Sequence, residues 1–346
     1  MLRRYVGSAL ILILILFTGF PATARGAELP KVLVLATGGT IAGEQSEPGT
    51  MGPYEIRKSV GEVVALVPDV KKYAQVDTEQ FLNVASSSIT PDNWIQLARR
   101  INQLFAMRKD LAGIVVTHGT DRLEETAFFL HLTVKSTKPV VVVGAQRPPT
   151  GISPDGPLNL LSAVRVAGAP ESAGKGVLVV MDQRILSARD TEKRYARSGG
   201  FSAVEMGMLG IVAAQGIEYF YTPVRKHTVT SEFDIDSINV LPAVEIRYSY
   251  AGSDGGPRTE AKGIVVVTTG FTPSERTYYE TQQKRGVIVA TTFPSGDQVG
   301  SPVSSRDNAP TIAVERMLPT HARILLMLAL TKTQDSREIQ RMFDQY

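Results

Sequence analysis

The sequence predicts an α/β protein built on a parallel sheet, with a larger N-terminal domain and a smaller C-terminal α/β domain. Three observations carry this. Short β-branched runs recur at 32–35, 114–116, 140–143 and 177–180 with helical patterns between them, and strands that alternate with helices imply parallel pairing through crossovers. The pattern then loosens over 221–241 into a polar stretch with Pro223 and Pro242 at its edges, and strand-type runs resume at 244–248, 264–267 and 287–290. With 43% apolar residues among 346, the chain can bury a large core, and its length suits about two domains.

Taken in order, residues 1–24 read as a secretory signal peptide. Arg3 and Arg4 precede an apolar run at 6–17, and Ala22-Thr-Ala24 supplies the small residues a signal peptidase reads. The run is short for a membrane span and is followed by Gly19 and Pro21, so an anchoring helix is the weaker reading. Cleavage after Ala24 leaves a mature chain of about 320 residues with a net charge near +1, expected in the periplasm or outside the cell and not in the membrane. It has no cysteine, so stability in an oxidising compartment must come from its core. No basic stripe implies nucleic acid. His118, His131, His227 and His321 are widely spaced without an HExxH pair, and no metal or other cofactor is expected.

Lys31-Val-Leu-Val-Leu-Ala-Thr-Gly-Gly-Thr40 is an apolar strand that breaks into a glycine turn presenting a hydroxyl. A glycine pair lets the backbone turn sharply and approach a ligand, and Thr40 could then act as a nucleophile on a carbonyl. The polar segment between Gly43 and Pro53 is long enough for a mobile lid. Thr90-Pro91-Asp92 starts a helix whose apolar face is Trp94, Leu97, Ile101 and Leu104. Gly113-Ile-Val-Val-Thr-His-Gly-Thr120-Asp121 repeats the strand, glycine turn and hydroxyl, now with an acid. Asp121 with Glu124 three residues on also reads as a helix capping box before the stripe Leu123, Ala127, Leu130 and Val134. In an open parallel sheet both turns lie at the carboxyl ends of strands, where ligands bind. Further helices are expected after Ser274 and Thr320 and at the end of the chain. The resulting division is 25–221, a linker at 222–241, and 242–346.

Ala36-Thr-Gly-Gly-Thr-Ile-Ala-Gly43 and Thr117-His-Gly-Thr-Asp121 resemble the two signature segments of the bacterial type II L-asparaginases and glutaminase-asparaginases. The resemblance extends to Val141-Val-Val-Gly-Ala-Gln-Arg-Pro148, Asp155-Gly-Pro-Leu-Asn159, Gly176-Val-Leu-Val-Val-Met181, Lys226-His-Thr228 and the closing segment 322–346. Ser231-Glu-Phe-Asp-Ile235 and Thr331-Lys-Thr-Gln-Asp335 are closer to the glutaminase-asparaginase branch.

The resemblance implies a two-domain asparaginase-like fold and hydrolysis of L-asparagine, and of L-glutamine, through an acyl-enzyme on Thr40. It implies that Thr120, Asp121 and Lys193 form a second catalytic group and that Tyr54, at the end of the lid, takes part in moving the threonine proton. Ser86, Ser87, Gly119, Ala145, Gly39 and Asp121 would contact the substrate, with Asp121 pairing to its ammonium. A homotetramer with sites between subunits is also implied.

Two departures bear on recognition. Where the family carries a glycine-asparagine-glycine turn that reaches a neighbouring subunit's site, this chain reads Val267-Thr-Thr-Gly-Phe-Thr-Pro273, with Phe271 as the counterpart of the asparagine. Ser87 stands where the family carries glutamine or glutamate, and 295–308 is shortened and has no match for a later substrate-binding glutamate. Weakened or altered affinity for L-asparagine is therefore expected. Two alternatives stay open, a hydrolase of another small amide and a non-catalytic periplasmic amino-acid binder.

Overall fold

A computed structural model of the chain describes residues 28–346 apart from 51, 204–205 and 295–310. The proposed leader and the altered segment 295–308 thus lie outside the described residues. In chain order the N-terminal part carries strands β1 (Lys31–Gly38), β2 (Gly43–Gln45), β3 (Tyr54–Ile56), β4 (Gln75–Val84), β5 (Leu111–Thr117), β6 (Val140–Val143) and β7 (Val177–Met181). Five short strands follow, β8 (Arg184–Ser187), β9 (Glu192–Lys193), β10 (Phe201–Ser202), β11 (Gly210–Val212) and β12 (Ile217–Tyr219). Helices α1 (Val60–Ala65), α2 (Pro91–Met107), α3 (Leu123–Thr133) and α4 (Gly156–Gly168) are interspersed.

The main sheet has eight strands in the order β12-β11-β8-β7-β6-β5-β1-β4. The stretch from β4 to β7 is parallel, as the sequence predicts. The other end departs from that expectation: β8 turns back against β7, and β11 and β12 continue antiparallel. These strands have only three or four residues, too few for periodicity to announce them.

The order β4-β1-β5 sets the position of the site. After β4 the chain passes to the far side of β1 to form β5, so a crevice opens between the carboxyl ends of β1 and β5, where such sheets bind ligands.

Thr90 caps α2 by accepting the Asn93 N–H while the Asn93 side chain accepts the Thr90 N–H, and Pro91 occupies the first turn. Such a cap contributes about 1 kcal/mol. Trp94, Leu97, Ile101 and Leu104 are all buried, as expected. In α3 the expected stripe is buried too, but so are Phe128, Phe129 and Leu132, because that helix is enclosed within the core on all sides.

The C-terminal part begins with β13 (Val244–Tyr248) and continues through β14 (Gly263–Val267), α5 (Pro273–Lys284), β15 (Ile288–Thr292), β16 (Ile312–Ala313), α6 (Pro319–Ala329) and α7 (Ser336–Gln345). Its four strands are parallel in the order β13-β14-β15-β16. Alternation along β14 divides its two faces. Val265 joins the main core with Leu325 and Leu326 of α6, while Ile264 and Val266 pack with Tyr279 of α5. The segment 222–241 holds two short 3-10 turns and buries Phe233, Ile235 and Ile238. Among the described residues no helix is long and apolar enough to cross a membrane.

Candidate active site

The first glycine turn and the second meet directly. Thr37, near the end of β1, donates its hydroxyl to the Thr117 carbonyl of β5 at 2.9 Å. Two residues on, Gly39 has φ 87°, and a Cβ added to it would lie 2.3 Å from the Gly119 Cα. No side chain fits there, and an L residue would be strained at that φ in any case. A Cβ on Gly119 would in turn lie 2.9 Å from the Ser86 side chain, at the end of β4. Three neighbouring strands therefore bring Gly39, Gly119 and Ser86 to one place. Ala145, beyond the end of β6, is fully buried.

Thr40 follows Gly39, is 7% exposed, and its Oγ1 lies 2.6 Å from the Tyr54 Oη. Tyr54 arrives on a small hairpin in which β2 and β3 pair antiparallel, Gln45 standing opposite Tyr54. The buried Gln45 donates its side-chain amide to the Thr50 and Gly52 carbonyls at 3.1 and 3.0 Å. Its own N–H goes to the Thr150 hydroxyl at 2.9 Å, and the Gly49 N–H goes to the Thr150 carbonyl at 2.8 Å. The segment expected as a lid is thus held to the loop after β6, and Tyr54 beyond it touches Thr40. Neither Gln45 nor Thr150 stands out in the sequence, because both act through remote partners.

The second group forms around Lys193. Its ammonium donates to the Thr120 Oγ1 at 2.8 Å and to the Asp121 Oδ1 at 2.5 Å. The lysine side chain is 13% exposed and that of Asp121 is 67% exposed, so the carboxylate remains open to a ligand. The Ser86 Oγ accepts the Asp121 N–H at 3.2 Å. Ser87 is exposed.

The capping box expected at Asp121 and Glu124 is not formed. The α3 N-cap is Arg122, with no side-chain capping bond. Asp121 binds Lys193 instead, and the Glu124 Oε2 accepts the Lys193 backbone N–H at 2.6 Å. A partner 69 residues away has displaced the local one. Burial raises the Glu124 carboxyl to about 7, with the Lys193 N–H opposing and Glu125 and Glu192 adding to the rise.

His118 is held by a chain of fixed polarity. Gly119 offers only a carbonyl, so His118 Nδ1 donates to it at 2.7 Å. Nε2 then accepts from the Thr126 hydroxyl at 2.9 Å, and that hydroxyl accepts from the Trp94 Nε1–H at 2.9 Å. Full burial lowers the His118 pKa to about 4, so the ring is neutral near pH 7. The other three histidines, widely spaced in sequence, gather near Phe128. The His321 ring stacks on it at 4.6 Å, and the His131 and His227 rings are 5.0 Å apart.

Phe271 lies between β14 and α5, half-buried, with its ring 5.0 Å from that of Tyr279. It packs on its own domain. The α5 helix starts two residues earlier than Ser274 suggests, capped by Thr272, which accepts the Glu275 N–H.

Residues 31–225 match the family described as asparaginase, N-terminal, and residues 243–343 match the glutaminase/asparaginase C-terminal domain. The chain is 43% identical to an L-asparaginase 2 of Bacillus subtilis, over 92% of this chain and 87% of that one. It is 40% identical to a glutaminase-asparaginase of Pseudomonas fluorescens biotype A, over 100% of this chain and 99% of that one. Among solved structures, a probable cytoplasmic L-asparaginase from Campylobacter jejuni superposes with a TM-score of 0.86 at 36% identity, covering 92% of this chain and 100% of that chain. With both domains matched and the two glycine turns brought together at one crevice, the chain belongs to the asparaginase family.

Proposed function

We propose that this protein is an amidohydrolase that converts L-asparagine, and L-glutamine, to the corresponding acid and ammonia. The observation that carries the reading is the 2.6 Å contact between the buried Thr40 hydroxyl and the Tyr54 hydroxyl, a nucleophile within reach of a group that can take its proton. Relatives named L-asparaginase and glutaminase-asparaginase support the substrate class.

Thr40 Oγ attacks the carboxamide carbon, and its proton passes through Tyr54 toward the leaving nitrogen. The C–N bond breaks, ammonia departs with that proton, and an ester to Thr40 remains. Water then attacks the ester carbon, the acid leaves, and Thr40 regains its proton. Thr120, Asp121 and Lys193 form the second group. The Lys193 ammonium on the Thr120 hydroxyl makes that hydroxyl a better proton donor for the developing charge. The open Asp121 carboxylate suits the ammonium of an α-amino acid, with Ser86, Ser87, Gly39, Gly119 and Ala145 as its surroundings. None of these steps calls on a cofactor.

The leader features point to export and to a periplasmic or secreted mature protein. A homotetramer and a domain division at 222–241 complete the proposal. Phe271 and Ser87 leave recognition weaker than in relatives carrying amide or acid groups there. Ammonia release from L-asparagine and L-glutamine, measured side by side on the mature protein, tests the reading. Release from both supports it, and release from neither moves the assignment to another amide or to a binder.

A further inference from the structure

We propose that Glu124 is a positioning residue for Lys193, fixing the lysine's backbone while Thr120 and Asp121 hold its ammonium. The Glu124 Oε2 accepts the Lys193 N–H at 2.6 Å, and the Nζ of the same lysine meets Thr120 at 2.8 Å and Asp121 at 2.5 Å. All three acceptors belong to the stretch 120–124, the turn after β5 and the start of α3. One rigid piece therefore grips the lysine at both ends.

The lysine needs that grip. It sits in β9, a strand of two residues paired, among the described residues, with the two of β10, and so short a ladder does not hold itself. Its flexible four-carbon stem transmits any drift of the Cα to the ammonium. The other Glu124 oxygen lies 3.5 Å from the Thr320 hydroxyl at the start of α6, which extends the grip to the C-terminal domain. The groups around Glu124 are Glu125 on α3, Glu192 on β9, and Thr320 and His321 on α6. Arg122 and Arg323 sit on Glu125. An ionised Glu124 makes a charge-assisted bond to the Lys193 N–H, and a neutral one makes a weaker bond. With its carboxyl raised to about 7 by burial, Glu124 loses that assistance as the medium turns acid.

This role rests on the proposed hydrolysis. The test uses the mature protein and its Glu124→Gln and Glu124→Met variants, with kcat and KM for L-asparagine from pH 6 to 8.5 and the melting temperature of each. Methionine matches the volume without a strong acceptor. Its kcat is expected to fall about 10- to 100-fold, with KM changed less than about 3-fold and folding retained, since small misplacements near the chemistry have effects of that order. Glutamine keeps a neutral acceptor, so the wild-type to Gln ratio of kcat should grow as pH rises through 7. A folded Met variant with wild-type kcat overturns the positioning role. If the Met variant does not fold, the Gln variant decides, and a ratio unchanged across pH overturns it. A wild type that releases no ammonia overturns the hydrolase reading itself.

Discussion

Gly39 and Gly119 touch backbone to backbone, and a Cβ on Gly39 would stand 2.3 Å from the Gly119 Cα. The contact sets Thr40 and Thr120, each one residue further along, at a single crevice. Gly39→Ala adds backbone strain of about 1–2 kcal/mol to an overlap that only a shift of β1 against β5 can relieve. The expected outcome is a melting temperature lower by several degrees and loss of turnover. Gly119→Ala should fold but push Ser86 away from the Asp121 N–H, raising KM more than it lowers kcat. Thermal melts and steady-state kinetics on both variants check this, and a fully active Gly39→Ala would contradict it.

The Tyr54 hydroxyl is the group nearest the Thr40 oxygen among their hydrogen-bond partners. Tyr54→Phe removes that oxygen and keeps the ring. Since positioned proton transfer contributes about 10²–10⁴-fold, kcat should drop within that range while KM moves little. An unchanged kcat would remove Tyr54 from the proton path.

The segment expected as a lid is tied down by two uncharged side chains, Gln45 and Thr150. Thr150→Val keeps the shape but removes the acceptor for the Gln45 N–H, made at 2.9 Å. A hydrogen bond of this kind contributes about 0.5–1.5 kcal/mol. Loosening of the hairpin should therefore lower kcat/KM by about 2- to 10-fold without altering the melting temperature by more than a few degrees. Proteolysis within 46–53 should quicken in the variant and slow again with saturating L-aspartate.

Three fully buried histidines make the protein acid-sensitive. Burial lowers His118 to about 4, His321 to about 3 and His131 in the same direction, below the unfolded value near 6.5. Between those values only the unfolded chain binds the protons, so stability is present above about pH 6.5 and declines as the pH falls. His118 and His321 each contribute on the order of 3 kcal/mol by pH 4. Glu124 has the opposite sign. Its raised carboxyl binds a proton in the folded state first, so its contribution is lost as pH rises from the ordinary carboxylate range through 7. The melting temperature should fall from pH 6.5 to 4.5, and Glu124→Gln, which removes the opposing contribution in the same range, should make that fall steeper. A flat profile over the acid range would contradict the assignment.

Phe271 packs on Tyr279 at 5.0 Å and offers no polar atom to a substrate. If it takes the place of the asparagine that the family resemblance implies, Phe271→Asn should lower KM for L-asparagine about 3-fold or more, an order expected for one regained hydrogen bond, with kcat little changed. The effect requires the proposed tetramer, whose presence at assay concentration sedimentation checks.

Much of this was legible in the sequence wherever a residue's partner is near in the chain. Thr90, Pro91 and Asn93 build their cap within four residues, and 32–35 and 140–143 are strands because β-branched runs bury both faces of a parallel sheet. Thr40 and Thr120 could be picked out because glycine turns break their strands. What periodicity could not show was competition from afar. Glu124 has the spacing of a capping residue and serves Lys193 instead. The strands β8 to β12 have too few residues for a pattern, and His131, His227 and His321 meet only through the packing around Phe128.

The site holds two threonines with hydrogen-bonded partners, Thr40 beside Tyr54 and Thr120 beside Lys193, and the proposed mechanism assigns the covalent bond to Thr40. Acid quench during turnover of L-asparagine, followed by peptide mass mapping, reads the bond directly. The aspartyl adduct is expected on the peptide bearing Thr40 and absent from Thr40→Ala. An adduct on the peptide bearing Thr120 would contradict that assignment.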